Sequence, residues 1–176
     1  RYHAQAASDA LALVIADCAA DAACAKAFSN LASEAALPSL TGDARATFFE
    51  RLRSTMYSPA GLKNVPFFVH RASAGDFAAF DSATKPGTRV FADGLYLSIS
   101  CNETFARIDA DDAIVASAKT TFGAYRLERQ RAACAVWPRG EVDAKLFDQR
   151  PSDVPILFIS GAFGPVSPPQ WAEELA

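Results

Sequence analysis

The end of the chain limits the fold most. Residues 152–176 read SDVPILFISGAFGPVSPPQWAEELA, in which Pro155 to Ser160 is an apolar run of the kind found in strands buried on both faces. Gly161 then opens a loop, and Pro168 with Pro169 suit the first turn of a helix through Ala176. Strand, loop and helix in that order make one unit of a parallel α/β sheet. A single unit is not a sheet, because a lone strand leaves its N–H and C=O groups without partners. Neighbouring strands must come from elsewhere, or copies of the chain must pack or swap. A homodimer through the exposed Pro155–Ser160 edge is therefore one expectation.

The preceding residues read as helices. Ser8 is a cap for a helix through Cys18, with Leu11, Val14, Ile15 and Cys18 on one buried stripe. Asp21 is a cap for a second, carrying Ala25, Phe28 and Leu31 and stopping before Pro38. A third starts at TGD with Asp43 as cap and turns Phe48, Phe49, Leu52 and Met56 inward; its RATFFERLR run, with charges at i,i+4, reads as a solvated face. SPAGLKNVP punctuates the chain, and Val65 to Ala74 is helical again, packed through Phe68 and Val69. Gly75, Pro86 and Gly87 bound a polar loop. Gly94 to Cys101, GLYLSISC, fits either a strand or the start of a buried helix. Asp111 to Arg131 returns to helical spacing with Ile114, Val115, Ala118, Phe122 and Tyr125 inside, and CAVWPRG ends that helix.

Composition excludes several partner classes. The 176 residues are 51% hydrophobic and 21% charged, which is globular rather than disordered. The net charge is −3 with scattered Lys and Arg, so no electrostatic footprint for nucleic acid is visible. No apolar run approaches the roughly 18–20 residues of a membrane span. The sequence begins at Arg1 with no recognisable export signal, so such a signal is expected to have been removed or to lie outside this sequence.

Cys18, Cys24, Cys101 and Cys134 form a close pair and a distant pair, none with C-x-x-C spacing, and only His3 and His70 are available as imidazole ligands. That argues against a metal. Two disulfides in an exported protein, Cys18–Cys24 with Cys101–Cys134, is the preferred reading, since DCAADAAC looks like a helix end folding back on the next start. Four buried free thiols is the alternative.

Four segments in order, DCAADAAC, VPFFVHRASAGDFAAF, GLYLSISCNE with the later CAVWP, and VPILFISGAFGPVSPPQWAEELA, resemble the tripeptidyl-aminopeptidase-like branch of the α/β-hydrolases. The last is the most specific and looks like that family's P-x-L-x-x-S-G-x-x-D-P-V-T-P-P-x-W. The resemblance implies a secreted or periplasmic serine hydrolase, with a nucleophile on a G-x-S-x-G elbow, a helical lid, an acid after a late strand, and then a histidine. None of the nine glycines here frames such a serine, and both histidines precede the late strand. The resemblance thus places the elbow before Arg1 and the base after Ala176. At the acid position stands Gly164, which has no carboxylate to orient an imidazole. A degenerate relative, an acid recruited from another position, and an alteration of the natural sequence are three readings of that glycine.

The resemblance also implies that Glu103, in SCNE, is a substrate-binding carboxylate for an α-ammonium group; the plainer reading is a cap or surface glutamate. Trp137 is a second substrate-binding candidate, against core packing beside a Cys101–Cys134 bridge. Phe67, Phe68, Phe77 and Phe80 read as lid core before they read as an acyl or peptide pocket, and His70 as an ordinary imidazole rather than a base.

The expected fold is mainly α. It comprises a helical lid (cap) domain of an α/β-hydrolase over residues 1–147, with one late core strand and helix attached in a core segment, residues 148–176. The expected function is the lid and partial core of a secreted serine hydrolase, peptidase- or esterase-like, inactive as this chain alone and needing no cofactor. Its substrate in the complete protein is a peptide or a small ester or amide. The alternative is a non-catalytic binding or interaction module derived from such a lid.

Overall fold

The computed structural model describes residues 3–37, 39–85, 92–148 and 153–175, and it is mainly α-helical. Helix α1 spans His3–Ala20 and buries Ala6, Ala7, Ala10, Leu11, Val14 and Cys18, with Ile15 against the same core. Ser8 is not its cap: it lies inside the helix, and its Oγ accepts a 3.4 Å bond from the Phe122 N–H. Asp21 does cap α2 (Ala22–Ala27), accepting from the Cys24 N–H at 2.8 Å. This helix stops before Phe28, and Leu31 belongs to a separate turn, α3 (Leu31–Glu34). Leu37 follows at φ 42°, a left-handed conformation costly for a branched side chain, and its complete burial offsets that cost. Pro38, Pro86, Gly87 and Ala176 lie outside the described residues.

Helix α4 (Gly42–Thr55) starts after Thr41, so Asp43 occupies its first turn rather than the cap. There its charge still favours the positive helix end. Phe48, Phe49, Leu52 and Met56 are buried as the spacing requires. SPAGLKNVP punctuates the chain only at its start, after α4, and is helical from Pro59 onward. Ser58 caps α5 (Pro59–Ser73) through a bond from the Gly61 N–H, Pro59 takes the first helical position, and Pro66 sits inside. Pro66 removes one ladder bond, and the burial of Val65, Pro66, Phe68 and Val69 offsets that loss. Helix α6 (Ala78–Ala83) crosses the region expected to be loop because Phe80 has a core to enter.

The ambiguous GLYLSISC is helical, not a strand, and buried only at Cys101: α7 (Asp93–Ile99) leaves Leu95, Tyr96 and Ile99 exposed and runs into a π-turn at Ser100–Thr104. A 3-10 turn at Phe105–Arg107 leads to α8 (Ala110–Ala118). The single helix expected over residues 111–131 is two, because Gly123, at φ 68°, turns the chain before α9 (Tyr125–Val136). The inner face of α8 is Ala113 and Ser117, while Val115 is 57% exposed and Ala118 is also outside. Helix α1 packs on α2, α5 and α8, while α5 also packs on α3, α4 and α6. One apolar core results, and Phe122 joins it from the α8–α9 turn.

Bonds join Cys18 to Cys24 and Cys101 to Cys134, the preferred pairing, and no described cysteine is free. The first clips α1 to α2; the second clips the π-turn to α9.

The late strand is not formed. Residues 155–160 have no regular secondary structure, and Ile156, Leu157 and Ile159 are 66%, 83% and 88% exposed. A ladder needs a partner strand, and the described residues contain no strand at all. The late strand therefore offers no support for a functional assignment. The loop after it is anchored: Phe163 packs on the core, Pro165 and Pro168 are buried, and α10 (Pro169–Glu173) follows with Pro169 at its first position.

Candidate functional site

A groove of about 1200 Å³ lies between α4, the start of α5, the end of α6, α7 and α9. Five cations line it (Arg51, Arg53, Lys85, Arg126 and Arg129), against two carboxylates, Glu50 and Asp93. In a chain of net charge −3 this is a local inversion. Glu50 is shared: it accepts from Arg53 Nη2 at 3.0 Å and from Arg126 Nη1 at 3.4 Å. Arg53 is only 6% exposed, gives Nη1 to the Tyr57 hydroxyl, and has a buried Nε without a partner. Burial opposes its charge, but Glu50 and Tyr57 outweigh burial and raise its pKa above the ordinary arginine value. Arg126 also reaches the Tyr96 hydroxyl at 3.4 Å, and Arg129 reaches the Tyr125 hydroxyl at 3.1 Å. Arg51 is paired from outside by Asp81 at 2.7 Å.

His3 reports the same field. Burial is the main cause that lowers its pKa to about 4; the positive charge of the N-terminus, then those of Arg126 and Arg53, push the same way, against Glu50.

The RATFFERLR run is therefore not a solvated face. Arg45 donates to the Ala36 and Leu37 carbonyls at 2.5 and 3.2 Å, and Glu50, Arg51 and Arg53 all line the groove. Sequence spacing marked the charges but not the tertiary partners, Asp81 and Arg126, that draw them in.

A second pocket, about 470 Å³, lies between the loop Ile159–Ser167 and the α4–α5 junction at Met56, Tyr57, Ser58, Pro59 and Leu62. Tyr57 and Ser58 line both cavities, so they stand between the groove and the pocket beside the loop that carries Gly164. The Gly164 N–H donates to the Gly161 carbonyl at 2.9 Å, and a Cβ at Gly164 would sit 3.0 Å from that oxygen. An aspartate there would require the loop to give by a few tenths of an ångström.

The residues singled out from the sequence stand elsewhere. Glu103 lies in the π-turn, half-buried, and Trp137 just past α9; neither lines the groove. Trp137 Nε1 donates to Ser98 Oγ at 3.2 Å, and its ring faces Gly94. Around the Cys101–Cys134 bond, Gln130 Nε2 reaches Ser100 Oγ at 2.9 Å, and Arg139 donates to the Cys101 and Cys134 carbonyls at 3.0 and 3.3 Å. This is a structural knot of α7, π-turn and α9. His70 Nδ1 lies 2.9 Å from a Glu34 oxygen, and the serine beside it, Ser73, donates to the His70 backbone carbonyl rather than to the imidazole. Phe68 and Phe80 are buried core, Phe77 is partly buried against it, and Phe67 is 40% exposed. Among the described residues no group of three His, Cys, Asp or Glu side chains has the geometry to hold a metal ion, and no helix is long and apolar enough to cross a membrane.

Comparison with curated proteins and with solved structures yields no match. Residues 118–176, which run from the end of α8 through α9 and the Gly164 loop, match the family model described as TAP-like protein.

Proposed function

Residues 118–176 belong to the TAP-like family of α/β-hydrolases, and from that premise we propose that this chain is the lid, residues 1–147, and part of the core, residues 148–176, of a secreted serine hydrolase acting on peptides or small esters and amides. One observation carries the reading. The loop that in this family's pattern bears the catalytic acid lines a second pocket that shares Tyr57 and Ser58 with the groove. A substrate lying in the groove would present a bond next to that loop, and the helices around it would select what enters. The two disulfides support an oxidising compartment, outside the cell or in the periplasm.

By itself the chain is inactive on this reading. It has no G-x-S-x-G elbow, its acid position is Gly164, and His70 is engaged with Glu34. Incubation with a fluorophosphonate probe and with aminoacyl and short-acyl chromogenic substrates tests this: neither labelling nor turnover is expected, and either one refutes it. Glu103 and Trp137 remain proposed substrate contacts only for a complete enzyme, since neither reaches the groove.

Gly164 favours a second reading, a non-catalytic module that captures peptides or a protein with the same groove. If the complete natural gene encodes an elbow serine and a later histidine, and activity returns when the segments bearing them are added, the enzyme reading holds. If it lacks them, the binding module does. The exposed Ile156–Ile159 run also supports self-association, which sedimentation at rising concentration would reveal as dimer.

A further inference from the structure

We propose that the groove selects ligands bearing carboxylates, acidic peptides above all; this deepens the substrate-lid reading and rests on it. Charge and geometry both point there. One carboxylate, Glu50, answers two guanidinium groups, Arg53 and Arg126, so the inner end of the groove carries uncompensated positive charge. Further out, Arg129 is exposed and has the Tyr125 hydroxyl as its hydrogen-bond partner and that ring beneath it. Lys85, also exposed, makes no ion pair with the described residues. Arg126 and Arg129 stand three residues apart on α9 and so share a face. Tyr96 and Tyr125 hold them from the side, which leaves guanidinium N–H groups for a ligand. The opposing groove carboxylate, Asp93, lies at the first position of α7, where the helix end already favours its charge.

A carboxylate entering this space meets Arg129 and Lys85, which have no ion pair among the described residues, and Arg126, which shares its one carboxylate with Arg53, so that close charge pairing can add net affinity. A neutral peptide gains nothing comparable, and a basic one is repelled. A phosphate group would be attracted by the same charges and also fits a guanidinium fork through two oxygens; the carboxylate assignment follows from the peptide-substrate reading of the groove.

The test uses this chain, with acetyl-Glu-Glu-Glu-amide and acetyl-Gln-Gln-Gln-amide as probes, followed by backbone NMR shifts and calorimetry at low and high salt. The acidic peptide is expected to bind about tenfold or more tightly than the neutral one, to lose that advantage in high salt, and to shift amides of α4, α7 and α9. An Arg129→Gln, Lys85→Gln double variant, with both changes at exposed positions and its fold checked by circular dichroism, is expected to bring the two peptides to similar affinity. Equal binding of both peptides by the unaltered chain, or an advantage untouched by the double variant, overturns the charge selection while the groove remains a peptide site. Binding of neither peptide overturns the charge selection and the substrate-groove reading together.

Discussion

Gly61 sits in the first turn of α5, where its N–H feeds the Ser58 cap, and a Cβ placed on it would lie 1.9 Å from the Thr55 carbonyl oxygen and 2.8 Å from that carbonyl carbon. Ordinary C···O contacts lie near 3.3–3.6 Å, so Gly61→Ala must move the α4 end and the α5 start apart by more than an ångström. Two effects oppose each other. Alanine gains up to about 1 kcal/mol over glycine in helix propensity. Overpacking against backbone costs typically 1–3 kcal/mol and sometimes more, and here the obstacle is a peptide group that cannot rotate away. The clash wins, leaving a net loss of about 1–2 kcal/mol, which in a domain of this size lowers Tm by roughly 2–8 °C. Thermal melting followed by far-UV circular dichroism measures it. Gly140→Ala is the control, since a Cβ there meets nothing within 4 Å, and it should change stability by no more than about 0.5 kcal/mol. An unchanged or raised Tm for Gly61→Ala would show propensity prevailing and refute the close packing of α4 on α5 at the mouth of the groove.

The two disulfides close loops of different length, with sequence separations of 33 and 6, so chain entropy assigns about 3.5–4 kcal/mol to Cys101–Cys134 and about 2.5 kcal/mol to Cys18–Cys24. Guanidinium titrations of the two paired Cys→Ala variants should therefore rank the first as the more damaging, and the reverse ranking would contradict the order. His3 is held neutral, its pKa lowered from 6.5 to about 4. The unfolded chain then binds the extra proton, so stability is present above pH 6.5 and falls as the pH drops towards 4, by on the order of 1–3 kcal/mol. Urea titrations at pH 7 and pH 4.5 should show a smaller loss in His3→Gln than in the unaltered chain, and an equal loss in both would remove the buried-histidine explanation.

Legibility tracked how local each signal was. The stripe Leu11, Val14, Cys18 and the set Phe48, Phe49, Leu52, Met56 are helical spacings within one element, and all are buried. The Asp21 cap and the Cys18–Cys24 pairing also rest on short patterns, and Cys101–Cys134 is the pair that remains. Caps at Ser8 and Asp43 misled because a capping residue is equally content inside a helix or one position on, once tertiary contacts extend the helix. On α8 the small residues Ala113 and Ser117 face inward and Val115 faces water, because close approach to α1 rewards size rather than hydrophobicity. The groove was the least legible part. Its charges come from α4, α7 and α9, and nothing in the spacing of RATFFERLR reveals that Arg126 waits across the bundle to share Glu50.

The chain divides into a part that satisfies itself and a part that does not, and the division bears on function more than any single residue. Through Val136 the large apolar side chains mostly enter one core, and even the buried Arg53 finds Glu50 and Tyr57. Past Asp153 the order reverses: Ile156, Leu157 and Ile159 stay in water, and each forgoes about 1.5–3 kcal/mol that burial would supply. Yet the next residues, Phe163, Pro165 and Pro168, dock firmly on the helices. A segment that was merely badly folded would not alternate between uncovered and docked within ten residues. A segment shaped for an additional surface would, and its position fits: it leads straight into the Gly164 loop, whose pocket shares Tyr57 and Ser58 with the groove. Whether hydrolase strands or a second copy of the chain supply that surface, covering residues 156–159 also steadies the loop that faces Tyr57 and Ser58 across the second pocket.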